Sequence, residues 1–203
     1  MDRFGLTRAA ARAGLTRLGY DGWAMPQPRT GWLILPITGV LIGHVLNARR
    51  IAEPALGDVK LTADACAELI QIDNMLAPLN GRPEVGALST YNAYTDRVDG
   101  VLLGAMNPFT ARHLRKLWHH TTRMTRFLED STRGRLFRRN DASDLIKAVL
   151  AEDGPAICDA RLTLIEDQQA FFLKQLLNSD APLTPGNGMM GLTKPTTLHR
   201  REI

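Results

Sequence analysis

The side chains best suited to chemistry in this sequence are the histidines His113, His119 and His120, the carboxylates Asp96 and Asp99, two cysteines, and a glycine triplet near the C-terminus. On a helix, adjacent positions point about 100° apart, and two ligands for one metal need a spacing of three or four residues. Positions 119 and 120 diverge, 113 and 119 are out of step, and neighbouring arginines oppose a cation. These histidines are therefore expected to face solvent or a partner. No Glu-x-x-His motif is present to build a bundle-type di-iron site.

Asp96 and Asp99 lie one turn apart and could share a face, but no nucleophile or ligand set accompanies them. Tyr91 and Tyr94 read as edges between surface and core. Gly186-x-Gly188-x-x-Gly191 matches the dinucleotide fingerprint as a string. No strand precedes it and no βαβ unit can follow, and Leu192 and Thr193 separate Gly191 from Lys194, which rules out a Walker loop. Cys66 and Cys158 are far apart in sequence, have no CxxC spacing, and fall in apolar-periodic stretches, as buried free thiols do. A catalytic site needs several groups that converge. None assembles here, so a non-enzymatic protein is expected, without cofactor, metal or small-molecule substrate.

Charge is the stronger signal. The net charge is +4, but it is laid out in blocks: +5 over residues 1–50, −5 over 51–105, +7 over 106–140 and −3 over 141–203. The most basic block holds Arg112, Arg115, Lys116, Arg123, Arg126, Arg133, Arg135, Arg138 and Arg139, interleaved with Trp118, Phe127 and Phe137. It reads as a surface for a partner or an anion. Trp118 and Phe127 fall on an apolar stripe, which makes them core residues rather than base-stacking platforms and leaves nucleic acid the less favoured partner.

The elements that must position these groups follow from periodicity. With 203 residues, 44% hydrophobic and 23% charged, the chain can bury a real core and is neither disordered nor a disulfide scaffold. Residues 2–19 predict a short basic helix with Phe4, Ala11, Leu15 and Leu18 on one stripe, suited to targeting, to a membrane interface or to docking on an acidic partner. Residues 20–30, with Pro26 and Pro28, predict a linker.

The segment from Trp32 to Leu46, WLILPITGVLIGHVL, carries no charge. As a helix, about 18 residues reach ~27 Å, close to the ~30 Å of a bilayer core. Trp32 stands at one end and Arg49 and Arg50 at the other, and Gly39 and Gly43 form the G-x-x-x-G spacing that lets lipid-embedded helices approach. The competing reading is a buried core helix or hairpin, favoured by Pro36 and His44. If the segment spans, the arginines before it place the N-terminus on the cytoplasmic or matrix side.

Downstream, the pattern is helical. Thr62 predicts an N-cap, with Cys66, Leu69, Ile70 and Ile72 inside the helix it opens. Leu88, Tyr91, Thr95, Val98, Leu102 and Ala105 mark a second helix. Asn107 and Pro108 open a third, whose stripe is Leu114, Leu117, Thr121, Met124 and Leu128. A short helix around Leu145–Leu150 and a longer one with Ile157, Leu164 and Phe171 complete the set. No stretch alternates convincingly with period two.

The expected fold is all-α: an irregular helical bundle with an N-terminal hydrophobic helix and an extended C-terminal tail. Its parts are 1–30 (basic helix and linker), 31–50 (hydrophobic helix, candidate membrane span), 51–178 (helical domain) and 179–203 (tail). The expected function is that of an accessory or structural subunit of a membrane-embedded, multi-subunit complex such as one in the mitochondrial inner membrane. Trp32, Gly39, Gly43, Arg49 and Arg50 would form the membrane and helix-packing contact, with other subunits and lipid as partners. The alternatives are a soluble, connector-type structural protein of a virion or similar particle, in contact with nucleic acid and located in the virion or the cytoplasm, and a helical enzyme without a recognisable motif.

Overall fold

Short polar side chains one residue ahead of each apolar run set where the helices begin. Thr7, Thr38 and Thr62 accept hydrogen bonds from the backbone N–H groups of Ala10, Leu41 and Ala65 at 3.2, 3.2 and 3.3 Å. Asn107 accepts from Phe109 N–H and Asp153 from Ala156 N–H, both at 3.0 Å. The computed structural model describes residues 5–131, 136–139 and 142–178. Among these, the order is α1 (Arg8–Tyr20), β1 (Ala24–Gln27), β2 (Gly31–Ile34), α2 (Gly39–Ala52), a 3-10 segment Glu53–Asp58, α3 (Ala63–Leu76), a 3-10 turn Ala77–Leu79, α4 (Val85–Ala105), α5 (Pro108–Ser131), α6 (Ala142–Leu150) and α7 (Gly154–Asn178). The mainly helical reading holds.

The hydrophobic N-terminal helix does not. Trp32 begins no helix: it sits in β2, which pairs antiparallel with β1 in the register Ala24↔Ile34 to Gln27↔Gly31. Pro36 has no N–H to give a helix, and Thr38 caps α2 only after it. The apolar run is thus divided between a strand and a helix, and no helix of the described residues is long and apolar enough to cross a membrane. The stretch 20–30, expected as a linker, supplies a turn, β1 and the hairpin loop. Neither strand shows a period of two because neither has a buried face; seven of their eight residues are at least partly exposed. Gly22, at φ +76°, makes the turn from α1 into β1, a conformation that favours glycine.

The core comes in two apolar clusters. One joins Leu56, Leu69, Ile72, Leu76, Val98, Leu102, Leu114, Leu145, Ile146 and Ile157, from α3 to α7. The other joins Ile42, Val45 and Leu46 of α2 to Met124 and Leu128 of α5 and to Ile165 and Phe172 of α7. Along α5, Thr121 separates the residues of the two clusters, and along α7 Arg161 does so. The 3-10 segment packs on α7 through a backbone contact at Gly57 and Gly154, where a Cβ on Gly154 would lie 2.9 Å from the Gly57 oxygen. Cys66 and Cys158 are free and only half-buried. The C-terminal tail, with its glycine triplet, lies outside the described residues.

Candidate functional site

Between the apolar clusters lies a layer of buried charge. Arg49, Glu53 and Arg161 are each 1% exposed or less. Glu53 accepts from Arg49 Nε on one carboxylate oxygen and from Arg161 Nε at 2.8 Å on the other. Trp118 Nε1 adds a bond at 2.8 Å. Arg161 also donates from Nη1 to Asp99 at 2.9 Å, and its guanidinium lies 4.7 Å from the centre of the Trp118 ring. Arg139 holds Asp99 with two bonds, at 2.8 and 3.3 Å. Arg49 reaches Gln168 and, at 3.4 Å, Thr121. Charges at such depth persist only when paired on every side.

Titration follows from this arrangement. Burial pushes the Glu53 carboxyl up, but Arg161 and Arg49 outweigh it and hold it below the usual range. Burial likewise opposes ionisation of Asp99, and Arg139 and Arg161 together overcome it. Burial lowers the pKa of Arg49 against the pull of Glu53.

This layer floors a cavity of about 580 Å³, within the range of small-ligand sites. Arg49 lines it from α2, Asn92, Asp96 and Asp99 from α4, and Arg161 and Gln168 from α7, while Phe137 and Arg139 come from the described residues 136–139. The α5 wall contributes Arg115, His119, Thr122, Arg126 and Glu129, a stripe at helical spacing. Five arginines thus face three carboxylates, with Glu53 behind the floor. Arg115 and Arg126 are exposed on the wall and form no salt bridge among the described residues. Burial raises the pKa of Glu129, which accepts the Phe137 N–H at 2.7 Å. A cation at the floor would have to displace guanidiniums from Asp99. No group of three or more His, Cys, Asp or Glu able to hold a metal occurs among the described residues.

The residues singled out from sequence fall in different places. Arg115, Arg126 and Arg139 line the cavity; Arg112 lies over the exposed Phe109 ring. Lys116 pairs with Asp21 at 2.6 Å, and Arg123 reaches the Leu35 carbonyl, so both tie α5 to the start of the chain. Arg138 caps the Asn80–Arg82 turn and lies over Tyr91. Arg133 and Arg135 lie outside the described residues. Arg49 is not a membrane flank but a core residue, and Arg50 bonds to Gln169. Trp32 packs on Gly19, while Gly39 and Gly43 are exposed with nothing within 4 Å of a modest side chain there.

His120, expected at a surface, is buried against Trp23, with ring centres 4.6 Å apart. Asp96 and Asp99, expected to share a face without a nucleophile or ligand set beside them, both line the cavity. Glu53, Arg161 and Gln168 are not among the residues that the sequence singles out. The available signal was a charge on an apolar stripe: Arg161 lies between Ile157 and Leu164, and Arg49 follows Ile42, Val45 and Leu46.

Fold and cavity together define a helical body with a charged internal site, carrying an N-terminal helix and hairpin. No protein-family model matches the sequence, and no curated protein does. Among solved structures, the fold is similar to that of E. coli McbR/YncC, with a TM-score of 0.67 at 16% identity over 86% of this chain and 84% of that one. It is also similar to a transcriptional regulator, a GntR family member, from Pseudomonas syringae pv. tomato str. DC3000, with a TM-score of 0.54 at 15% identity over 86% and 73% of the two chains.

These neighbours and the divided apolar segment overturn the expectation of a membrane-complex subunit, and with it lipid and mitochondrial membrane partners. The physical reason is local: the uncharged run that resembled a span is short strand plus amphipathic helix, buried on one side against α5 and α7.

Proposed function

We propose that this protein is a ligand-responsive DNA-binding regulator that acts by binding rather than by catalysis. Its cavity takes a small organic anion, and α1 with the hairpin faces DNA. The observation that carries the reading is the pair of exposed guanidiniums, Arg115 and Arg126, which form no salt bridge among the described residues and stand on one wall of a ligand-sized cavity whose floor charges, Arg49, Asp99, Arg139 and Arg161, are already paired. Guanidinium groups suit carboxylates because they offer paired donors in a plane. The transcriptional-regulator fold of the solved neighbour supports the DNA side of the reading.

The N-terminal module fits that role. Helix α1 buries none of its residues and has no acid in its first turn, and Arg8 and Arg12 are exposed on it. Arg29 projects from the hairpin loop at φ +66°. Three such contacts predict a slope of about −2.7 in log K against log salt.

Two measurements test the proposal. In thermal unfolding, a panel of small mono- and dicarboxylates is compared with chloride at equal ionic strength. A ligand at 100 times its Kd adds about 2.7 kcal/mol, worth roughly 5–10 °C in a chain of this size. Arg115→Glu and Arg126→Glu should remove the shift; no shift with any anion, or a shift that both variants keep, refutes the cavity reading. Anisotropy of a labelled DNA duplex, titrated across salt, tests the other half. A flat salt dependence, or one unchanged in Arg8→Gln/Arg12→Gln/Arg29→Gln, refutes it.

A further inference from the structure

Helix α5 presents three stripes, each rotated about 100° from the next. Leu114, Leu117, Met124 and Leu128 face the core, and Arg115, His119, Thr122 and Arg126 face the cavity. The third stripe, Lys116, His120 and Arg123, faces the N-terminal module. The His120 ring stacks on Trp23 with 17° between planes, and its Nε2 meets the Asp21 carbonyl at 3.0 Å. The Arg123 guanidinium lies 5.7 Å from the Trp23 ring centre and donates to the Leu35 carbonyl. Trp23 in turn is bonded to both neighbours of the hairpin: its N–H donates to the Leu18 carbonyl of α1, and its own carbonyl accepts from Leu35 N–H, each at 2.9 Å. One tryptophan therefore links α1, the hairpin and α5.

This junction is incompletely satisfied. Among the described residues, His120 Nδ1 and Arg123 Nη1 are buried without a hydrogen-bond partner. Buried polar atoms left bare favour any alternative that hydrates them. Such a defect lowers the cost of leaving the docked arrangement, which suits an element with two states.

We propose that α5 couples the cavity to the N-terminal module through a clamp formed by Trp23, His120 and Arg123. The proposal builds on the function above, because it gives the cavity a way to govern the face assigned to DNA. A ligand that draws the Arg115–Arg126 stripe inward turns a stiff helix about its axis. The clamp stripe, one residue out of phase, turns with it and changes how α1 and the hairpin are held.

The test needs neither the ligand nor DNA, so its failure is separable from failure of the functional reading. Thr122→Trp places an indole in the cavity as a fixed occupant. Amide hydrogen exchange is then followed over residues 24–35, with the amides of α3 and α6 as a control for intact folding. The expected result is at least a fivefold change in hairpin exchange in the wild-type background and less than twofold in the Trp23→Ala background. If T122W does not fold, Arg126→Leu, exposed on the same wall, replaces it under the same criteria. Equal changes in both backgrounds, or no change in either with the control amides protected, overturn the clamp.

Discussion

Replacing Arg161 with methionine keeps most of the apolar volume and removes the cation that, among the described residues, bonds to both Glu53 and Asp99. In the wild type, Arg161 bonds to Glu53 at 2.8 Å and to Asp99 at 2.9 Å, with its own side chain 1% exposed. Breaking a buried ion pair from one side costs about 3–5 kcal/mol. Here each carboxylate keeps another guanidinium, Arg49 for Glu53 and Arg139 for Asp99, which moderates the loss. Losing the stacked contact with Trp118 adds up to about 2 kcal/mol. A net loss of about 3–5 kcal/mol follows, or roughly 6–20 °C in melting temperature.

The pH dependence gives a second readout. Glu53 and Asp99 have folded pKa values below their unfolded ones, so their contribution is complete above the unfolded values and fades as pH falls through the folded values. The Arg161→Met deficit should therefore be full near neutral pH and shrink in acid. Urea unfolding of both proteins, followed by circular dichroism at about pH 7.5 and about pH 3.5, measures it. A loss below about 1 kcal/mol at neutral pH, or one equally large in acid, would refute the claim that this residue neutralises two buried carboxylates.

Other perturbations follow from the same geometry. Gly43→Ala, on an exposed turn of α2 with open space around it, should stabilise by about 0.4–1 kcal/mol in chemical denaturation; destabilisation would mean that a close partner covers that face. Gly154→Ala should destabilise, because the added Cβ meets the Gly57 oxygen at 2.9 Å, and an unchanged midpoint would contradict that contact. Anion affinity should rise as pH falls toward the raised pKa of Glu129, whose protonation removes a negative charge from the cavity wall. Titration calorimetry should show that increment gone in Glu129→Gln, with tighter binding at neutral pH; an identical pH profile would rule Glu129 out as its source. The folded state, which holds this proton more tightly, gains stability over the same fall in pH.

Much of the helical framework was legible in the residues. Thr62, Asn107 and the stripe Leu114–Leu128 mark caps and faces through local rules, since a cap needs only its own turn and a stripe only a period of 3.6. The segment after Trp32 was ambiguous for an equally local reason: lack of charge says that water is unwelcome, not what replaces it. The hairpin left no alternation because no sheet face is buried, so its pairing rests on the Gly31 turn and on cross-strand bonds.

The cavity belonged to another level. Asp99 and Arg161 are 62 residues apart, Glu53 and Arg161 are 108 apart, and Trp23 meets His120 across nearly half the chain. Caps, helix faces and the blocks of charge were determined by the amino-acid order, because those depend on neighbours a few positions away. Which charges would be buried together, and which would be left open to a ligand, was decided only when α2, α4, α5 and α7 packed, because Coulomb energy depends on distance in space and on the water that packing excludes.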